Sequence, residues 1–335
     1  MTQTQTDFKA TLETVRTLHR QGILPKDAFK RALQLIGHTP QRGDWVKFVN
    51  VLLLGLGSLL LISGIFFFLA YNWTDLSRFA RFGTVEVALI VSAGLATWAG
   101  LERIAGKTAL TFSALLIGAL LLVFGQEYQT GADSYELFWN WALLMTGLAL
   151  IARFDLLWGI WLGLLNLTIY FYWDQVQPGL DWPGWEVLFL LNAGALLIWE
   201  LLSRWRGLVW MRSHWLPRVV TLVAFGWILI PTVALIFAYW STASGFIASH
   251  QAAVLLYAIF LLSVVGVYQW IYPDLFMLTV AALSLIIVLT AWSGRWLVEA
   301  DGVFGTLATG VLVIVQAGLA GYWLRSLQKR MEATA

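Results

Sequence analysis

From Phe48 onward the chain alternates long apolar runs with short polar breaks, and before that point it does not. Ten apolar runs fall near 48–70, 83–101, 108–125, 137–152, 156–173, 187–202, 217–240, 251–270, 275–293 and 303–324, the fourth and sixth being the shortest. An α-helix rises ~1.5 Å per residue and a hydrocarbon core is ~30 Å thick, so each run is long enough to cross, or nearly cross, a bilayer. The pattern predicts an all-α fold: a polytopic transmembrane helix bundle of about ten spans over 48–324. A hairpin and linker over 1–47 precede it and a short tail over 325–335 follows it.

The polar start carries its own periodicity. Leu12, Val15 and Leu18 form one helical stripe, and Ala28, Phe29, Ala32, Leu33 and Ile36 form a second. Gly22 stops the first helix and Pro25 stands where another can begin, which gives a small helical hairpin suited to capping or self-association. No charged start leads into a short apolar run and a small-residue cleavage site, so no removable signal peptide is expected.

Composition agrees with membrane burial: 59% of the 335 residues are hydrophobic and 12% charged, against about 25% charged in an ordinary soluble domain. The distribution of charge says more than the net value of +2. With the amino terminus in the cytoplasm, eighteen of the 21 lysines and arginines fall in cytoplasmic segments, where basic residues resist translocation. The exceptions are Arg78, Arg81 and Arg295. The outer loops 126–136 and 174–186 hold acids and no base. Both termini are therefore expected in the cytoplasm.

Cysteine is absent, which excludes disulfides, thiolate metal sites and cysteine nucleophiles. His19, His38, His214 and His250 are scattered without metal-ligand spacing, so neither a metal nor a cofactor is expected. The twenty tryptophans, among them Trp73, Trp139, Trp173, Trp182, Trp240, Trp296 and Trp323, read mainly as belt residues at span ends. Ala114 with Gly118 and Gly159 with Gly163 offer small residues at the spacing that allows close helix contact. The span ends LAYNWT and FAYWST look alike, but convergent aromatic belts explain them more plainly than a repeat does.

Polar residues are costly in a bilayer, so their depth is informative. They gather at the outer ends of the first spans: Asn72, Asp75, Arg78 and Arg81 after span one, Glu86 at the start of span two, and Gln126, Glu127, Gln129 and Asp133 after span three. These nine are the candidate ligand- or partner-binding residues. Glu86 lies one turn into its span, where Arg81 or Arg78 is expected to hold it as a carboxylate. The run GQEYQTGAD, Gly125 to Asp133, reads as a loop whose carboxylates Glu127 and Asp133 have the chemistry of an acid and a base. The middle of the bundle is nearly bare, with Asn166, Ser284, Gln316 and Pro231 as the main exceptions.

Two stretches, GIFFFLAYNWTDLSRFARFG (64–83) and FGQEYQTGADSYELFWNWALL (124–144), resemble the predicted membrane proteins of domain-of-unknown-function family 2157. The likeness covers roughly residues 10–170 and implies a bacterial inner-membrane protein, without an activity. No nucleophile elbow, metal cluster or phosphate-cradling loop points to an enzyme. The reading that results is a non-enzymatic membrane component whose outward polar site binds an envelope ligand or a partner protein. The alternative is a transporter or lipid flippase using Glu86 and the same cluster. Expected partners are membrane lipids and another membrane protein or a second copy; nucleic acid is not expected, because no basic cluster is interleaved with exposed aromatics outside the amino-terminal segment.

Overall fold

The computed structural model describes residues 12–35, 42–71, 73, 75–176, 184–205, 209–213, 215–238, 244–300 and 302–334. Ile36, His38, Asn72, Trp182, Arg206, His214, Trp240 and half of the compared ends LAYNWT and FAYWST lie outside them. The chain divides into two compact units, Met1–Ser77 and Arg78–Ala335.

In the first unit, α1 (Leu12–Arg20) and α2 (Lys26–Leu35) make the expected hairpin, and α3 (Arg42–Tyr71) follows. Gly22 ends α1 with φ +73, a conformation that L side chains rarely adopt, while the Ile23 and Leu24 amides both donate to Leu18 O. Val15 is buried. His19, one of the scattered histidines, proves to be hairpin glue: its ring stacks on Phe29 at 4.3 Å, and Nδ1 lies 2.7 Å from Leu24 O. At 30 residues α3 is ~45 Å long, so it spans the run 48–70 and carries Arg42, Asp44 and Lys47 beyond the apolar core.

The second unit holds α4 (Arg78–Ala99), α5 (Ile104–Tyr128), α6 (Ser134–Ala152), α7 (Asp155–Val176), α8 (Gly184–Trp205), α9 (Trp215–Ala238), α10 (Ser244–Gly266), α11 (Leu275–Ala300) and α12 (Gly302–Thr334). Each is long and apolar enough to cross a membrane by length and composition. With α3 they account for the ten runs of the sequence, and no strand occurs among the described residues. A 3₁₀ turn at Val209–Arg212 precedes α9, and a π-helical turn at Val267–Ile271 extends α10.

Consecutive helices pair as hairpins, α4 with α5, α6 with α7, α8 with α9 and α11 with α12, and α9 also packs on α7, α10 and α11. Two apolar clusters result. One joins α4 to α7 through Ala96, Ala114, Met145 and Leu157; the other surrounds Phe225 and Ile228 of α9 with Phe189, Tyr257 and Leu278. Trp158 and Trp161 of α7 touch both. Outward faces are apolar and open, as at Leu262, Phe304 and Ile314, which suits lipid contact.

The small-residue pairs divide. A Cβ on Gly118 would lie 2.3 Å from the Trp141 ring, whose Nε1 donates to Ala114 O at 2.8 Å, so Ala114 and Gly118 form a notch that seats an indole. Gly163 faces open space. The tryptophans divide in the same way. Trp98, Trp139 and Trp296 are exposed, whereas Trp141, Trp161, Trp199 and Trp227 donate interhelical or loop hydrogen bonds to Ala114 O, Thr146 Oγ1, Met211 O and Asn166 Oδ1. A belt reading covers only the first group.

Candidate functional site

The first turn of α4 and the last turn of α5 meet at one end of the second unit. Arg81 forms an ion pair with Glu127, both side chains largely covered. Arg78 is exposed and lies over the rings of Phe79 at 5.3 Å and Tyr128 at 5.8 Å, a cation–π arrangement that orients the guanidinium while leaving its N–H donors outward. Phe82 and Phe124 flank the Tyr128 ring at 6.2 and 4.7 Å. α4 and α5 pack closely enough for Ser92 and Ser113 to share a 2.8 Å hydrogen bond deep in the pair.

Two expectations need correction here. Glu86 is not held by Arg78 or Arg81: it is exposed on α4 and has no ion-pair partner among the described residues. Five residues at ~100° each set Glu86 about 140° around the helix from Arg81, whereas Glu127 arrives from the neighbouring helix on the correct side. The run 125–133 is also only half a loop. α5 continues through Tyr128, so Gln126 and Glu127 stand on its final turn, and the chain then reverses through Gln129 at φ +44 and Gly131 at φ +63. Asp133, in extended conformation, begins α6, its carbonyl accepting from the Glu136 amide at 3.1 Å.

This reversal opens a cavity of about 420 Å³ between α5 and α6, lined on its polar side by Gln126, Thr130, Asp133, Ser134, Glu136 and Asn140. The nine sequence candidates therefore sort into groups. Arg78, Arg81 and Glu127 sit together across α4 and α5, and Gln126 and Asp133 line the adjoining cavity. Gln129 is exposed at the turn and Glu86 stands apart. Asp75 is exposed in the first unit, and Asn72 lies outside the described residues. Glu127 is engaged by Arg81 and Asp133 faces the cavity, so the suggested acid–base pair does not converge on one point.

A second polar cluster was missed from the sequence. Helices that alternate in direction bring the start of α8, the end of α9, the start of α10 and the end of α11 to the same end of the bundle. There His250 is fully buried with Nδ1 2.6 Å from Glu186 Oε1, Glu186 Oε2 is buried without a hydrogen-bond partner, and Arg295 is 9% exposed and donates to Ile236 O. Each of the three lies within two residues of the end of an apolar run, inside the helix that continues past it. At mid-bundle, Asn192 donates to Asn166 Oδ1 at 2.6 Å, which also accepts from Trp227 Nε1 at 3.0 Å, a clamp across α7, α8 and α9. Among the described residues no three His, Asp or Glu side chains converge as metal ligands.

Residues 16–158 match the family described as "Predicted membrane protein (DUF2157)". That segment runs from within α1 to the first turn of α7, so it contains the Arg78, Arg81, Glu127 and Asp133 rim and excludes the Glu186, His250 and Arg295 cluster. No curated protein and no solved structure matches the chain.

Proposed function

We propose that this multi-pass membrane protein is a non-enzymatic component of a bacterial inner membrane, with both termini cytoplasmic, that docks an envelope ligand or a partner protein at the rim where α4 begins and α5 ends. The observation that carries the reading is the division of labour between two arginines. Arg81 is spent on Glu127 and fixes the two helix ends, whereas Arg78 rests on aromatic faces with its donors outward, beside a 420 Å³ cavity of amides, hydroxyls and carboxylates. A ligand with an anionic group and neighbouring hydroxyl or amine groups is complementary to that surface. The outward placement follows from the basic residues, eighteen of 21 of which fall on the other side.

Crosslinking or co-purification from intact membranes is expected to recover a partner that is lost on Arg78→Ala with Arg81→Ala; undiminished recovery rejects the docking role. The chain has no cysteine, so a single Arg78→Cys gives a clean topology probe. Labelling by an impermeant thiol reagent from the periplasmic side is expected, and labelling only from the cytosol overturns the orientation.

A second reading, a transporter or lipid flippase, draws on Glu86, an unpartnered carboxylate on α4, and on the buried His250–Glu186 pair, since ionisable groups inside a membrane commonly mark transport paths. Substrate flux in proteoliposomes that is abolished by Glu86→Gln favours it over docking.

A further inference from the structure

A polar cavity of about 430 Å³ opens at the other end of the second unit, where α8 finishes and α11 starts. Its walls are charged and ordered. Arg204 pairs with Glu200 one turn earlier on α8, with Nε to Oε2 at 2.6 Å, and lies over the Tyr272 ring. Tyr268 donates its hydroxyl to the other Glu200 oxygen at 2.7 Å. Asp274 accepts from Arg218 Nε at 3.0 Å and caps α11 through the Phe276 amide at 2.9 Å. Tyr268 stands on the π-helical turn Val267–Ile271, closed by the Tyr272 amide on Val267 O; such turns recur at functional sites.

The network lines an opening and is not sealed: Arg204 and Arg218 are 34% and 39% exposed, and their remaining N–H groups have no acceptor among the described residues. Ser213 adds a hydroxyl to the same wall. Among the described residues the lining carries one guanidinium, Arg204, and two carboxylates, Glu200 and Asp274, with the Arg218 guanidinium paired to Asp274. A headgroup carrying one phosphate and one ammonium meets a counter-charge at each end, whereas an anionic headgroup with hydroxyls alone offers the two carboxylates hydrogen bonds but no counter-charge.

Two apolar grooves adjoin this cavity. One, about 320 Å³ and rich in tryptophan, shares Trp199, Met211 and Pro217 with it. The other, about 410 Å³, shares Glu200 and Tyr268 and continues along α8 and α10 past Gly194. They lie on two sides of α8, and each shares wall residues with the charged cavity. We infer that Glu200, Arg204, Tyr268 and Asp274 hold the zwitterionic headgroup of a two-chain phospholipid of the phosphatidylethanolamine class, with one acyl chain in each groove. The site is independent of the α4–α5 rim.

The test uses the full-length protein, stripped of lipid in mild detergent and titrated by native mass spectrometry with three probes: two-chain phosphatidylethanolamine, two-chain phosphatidylglycerol and one-chain lysophosphatidylethanolamine. The first is expected to bind about tenfold tighter than either of the others, the scale of one charge-assisted hydrogen bond or of a partly buried chain. Arg204→Gln lowers that affinity about tenfold by removing the phosphate partner. Gly194→Leu supplies the control for folding, because a Cβ there meets nothing within 4 Å: it lowers binding of the two-chain lipid towards the one-chain level and leaves the one-chain lipid unchanged. Equal affinity for the three probes, or an unaltered two-chain lipid in Gly194→Leu, reduces the cavity to ordinary lipid contact and overturns the assignment.

Discussion

The two halves of the second unit join their helices by different means. In α4–α7 the buried contacts are apolar or small: Ala96, Ala114, Ala142 and Ala149 let backbones approach, the buried polar groups among the described residues are Ser92, Thr111 and Ser113, and the Arg81–Glu127 pair is kept at the helix tips. In α8–α11 amides and charges go inside, as Asn192, His250 and Arg295 do. Lipid tails are as apolar as leucine, so no hydrophobic force drives one membrane helix onto another, and association must come from close packing or from interhelical polar bonds. The first half relies on fit and neutral hydrogen bonds such as Ser92 to Ser113, and the second adds buried amides and charged groups. Volume changes should therefore hurt the first, and deletion of polar groups should hurt the second.

The largest expected effect is at His250. His250→Ala strips Glu186 of its ion-pair partner in a buried place and should cost about 3 kcal/mol or more, read from unfolding in detergent. A near-neutral result would mean that this cluster is hydrated and the contrast between the halves is false. Gly118→Ala comes next, at about 1–3 kcal/mol, because the new methyl meets a Trp141 ring tethered to Ala114 O. Gly163→Ala, into open space, should be neutral or slightly stabilising through helix propensity, by at most about 1 kcal/mol. Asn192→Leu, which breaks the clamp with Asn166, is expected to cost about 1–2 kcal/mol despite adding apolar bulk. The smallest effect belongs to the rim: a double-mutant cycle on Arg81 and Glu127 should give a coupling below about 1 kcal/mol that fades with salt, since neither group is sealed from water.

The ten helices were legible because each rests on an uninterrupted apolar run, and the amino-terminal hairpin because glycine and proline punctuate two short stripes. Pairing was not legible. Glu86 looked like the partner of Arg81 from five residues away, yet the true partner stands 46 positions on, and which side of α4 faces α5 is set by packing that no local pattern records. The candidate site was read as one cluster of nine, whereas the chain reverses after Tyr128 and turns Gln126 and Asp133 into a separate cavity. Asn192 and His250 were hidden for a related reason: a lone polar letter in or beside an apolar run does not show whether it meets a partner. Tryptophan had the same ambiguity, since an indole at a headgroup and an indole clamping two helices are one letter.

The position of α9 has a consequence for assembly. It touches α7 and α8, synthesised before it, and α10 and α11, synthesised after it. Phe225 and Ile228 therefore wait on one flank with only acyl chains for company until α11 has left the insertion machinery. A ribosome halted before Leu275 would leave the larger core unfinished, while the α4–α7 group, whose contacts all precede that point, would already be closed.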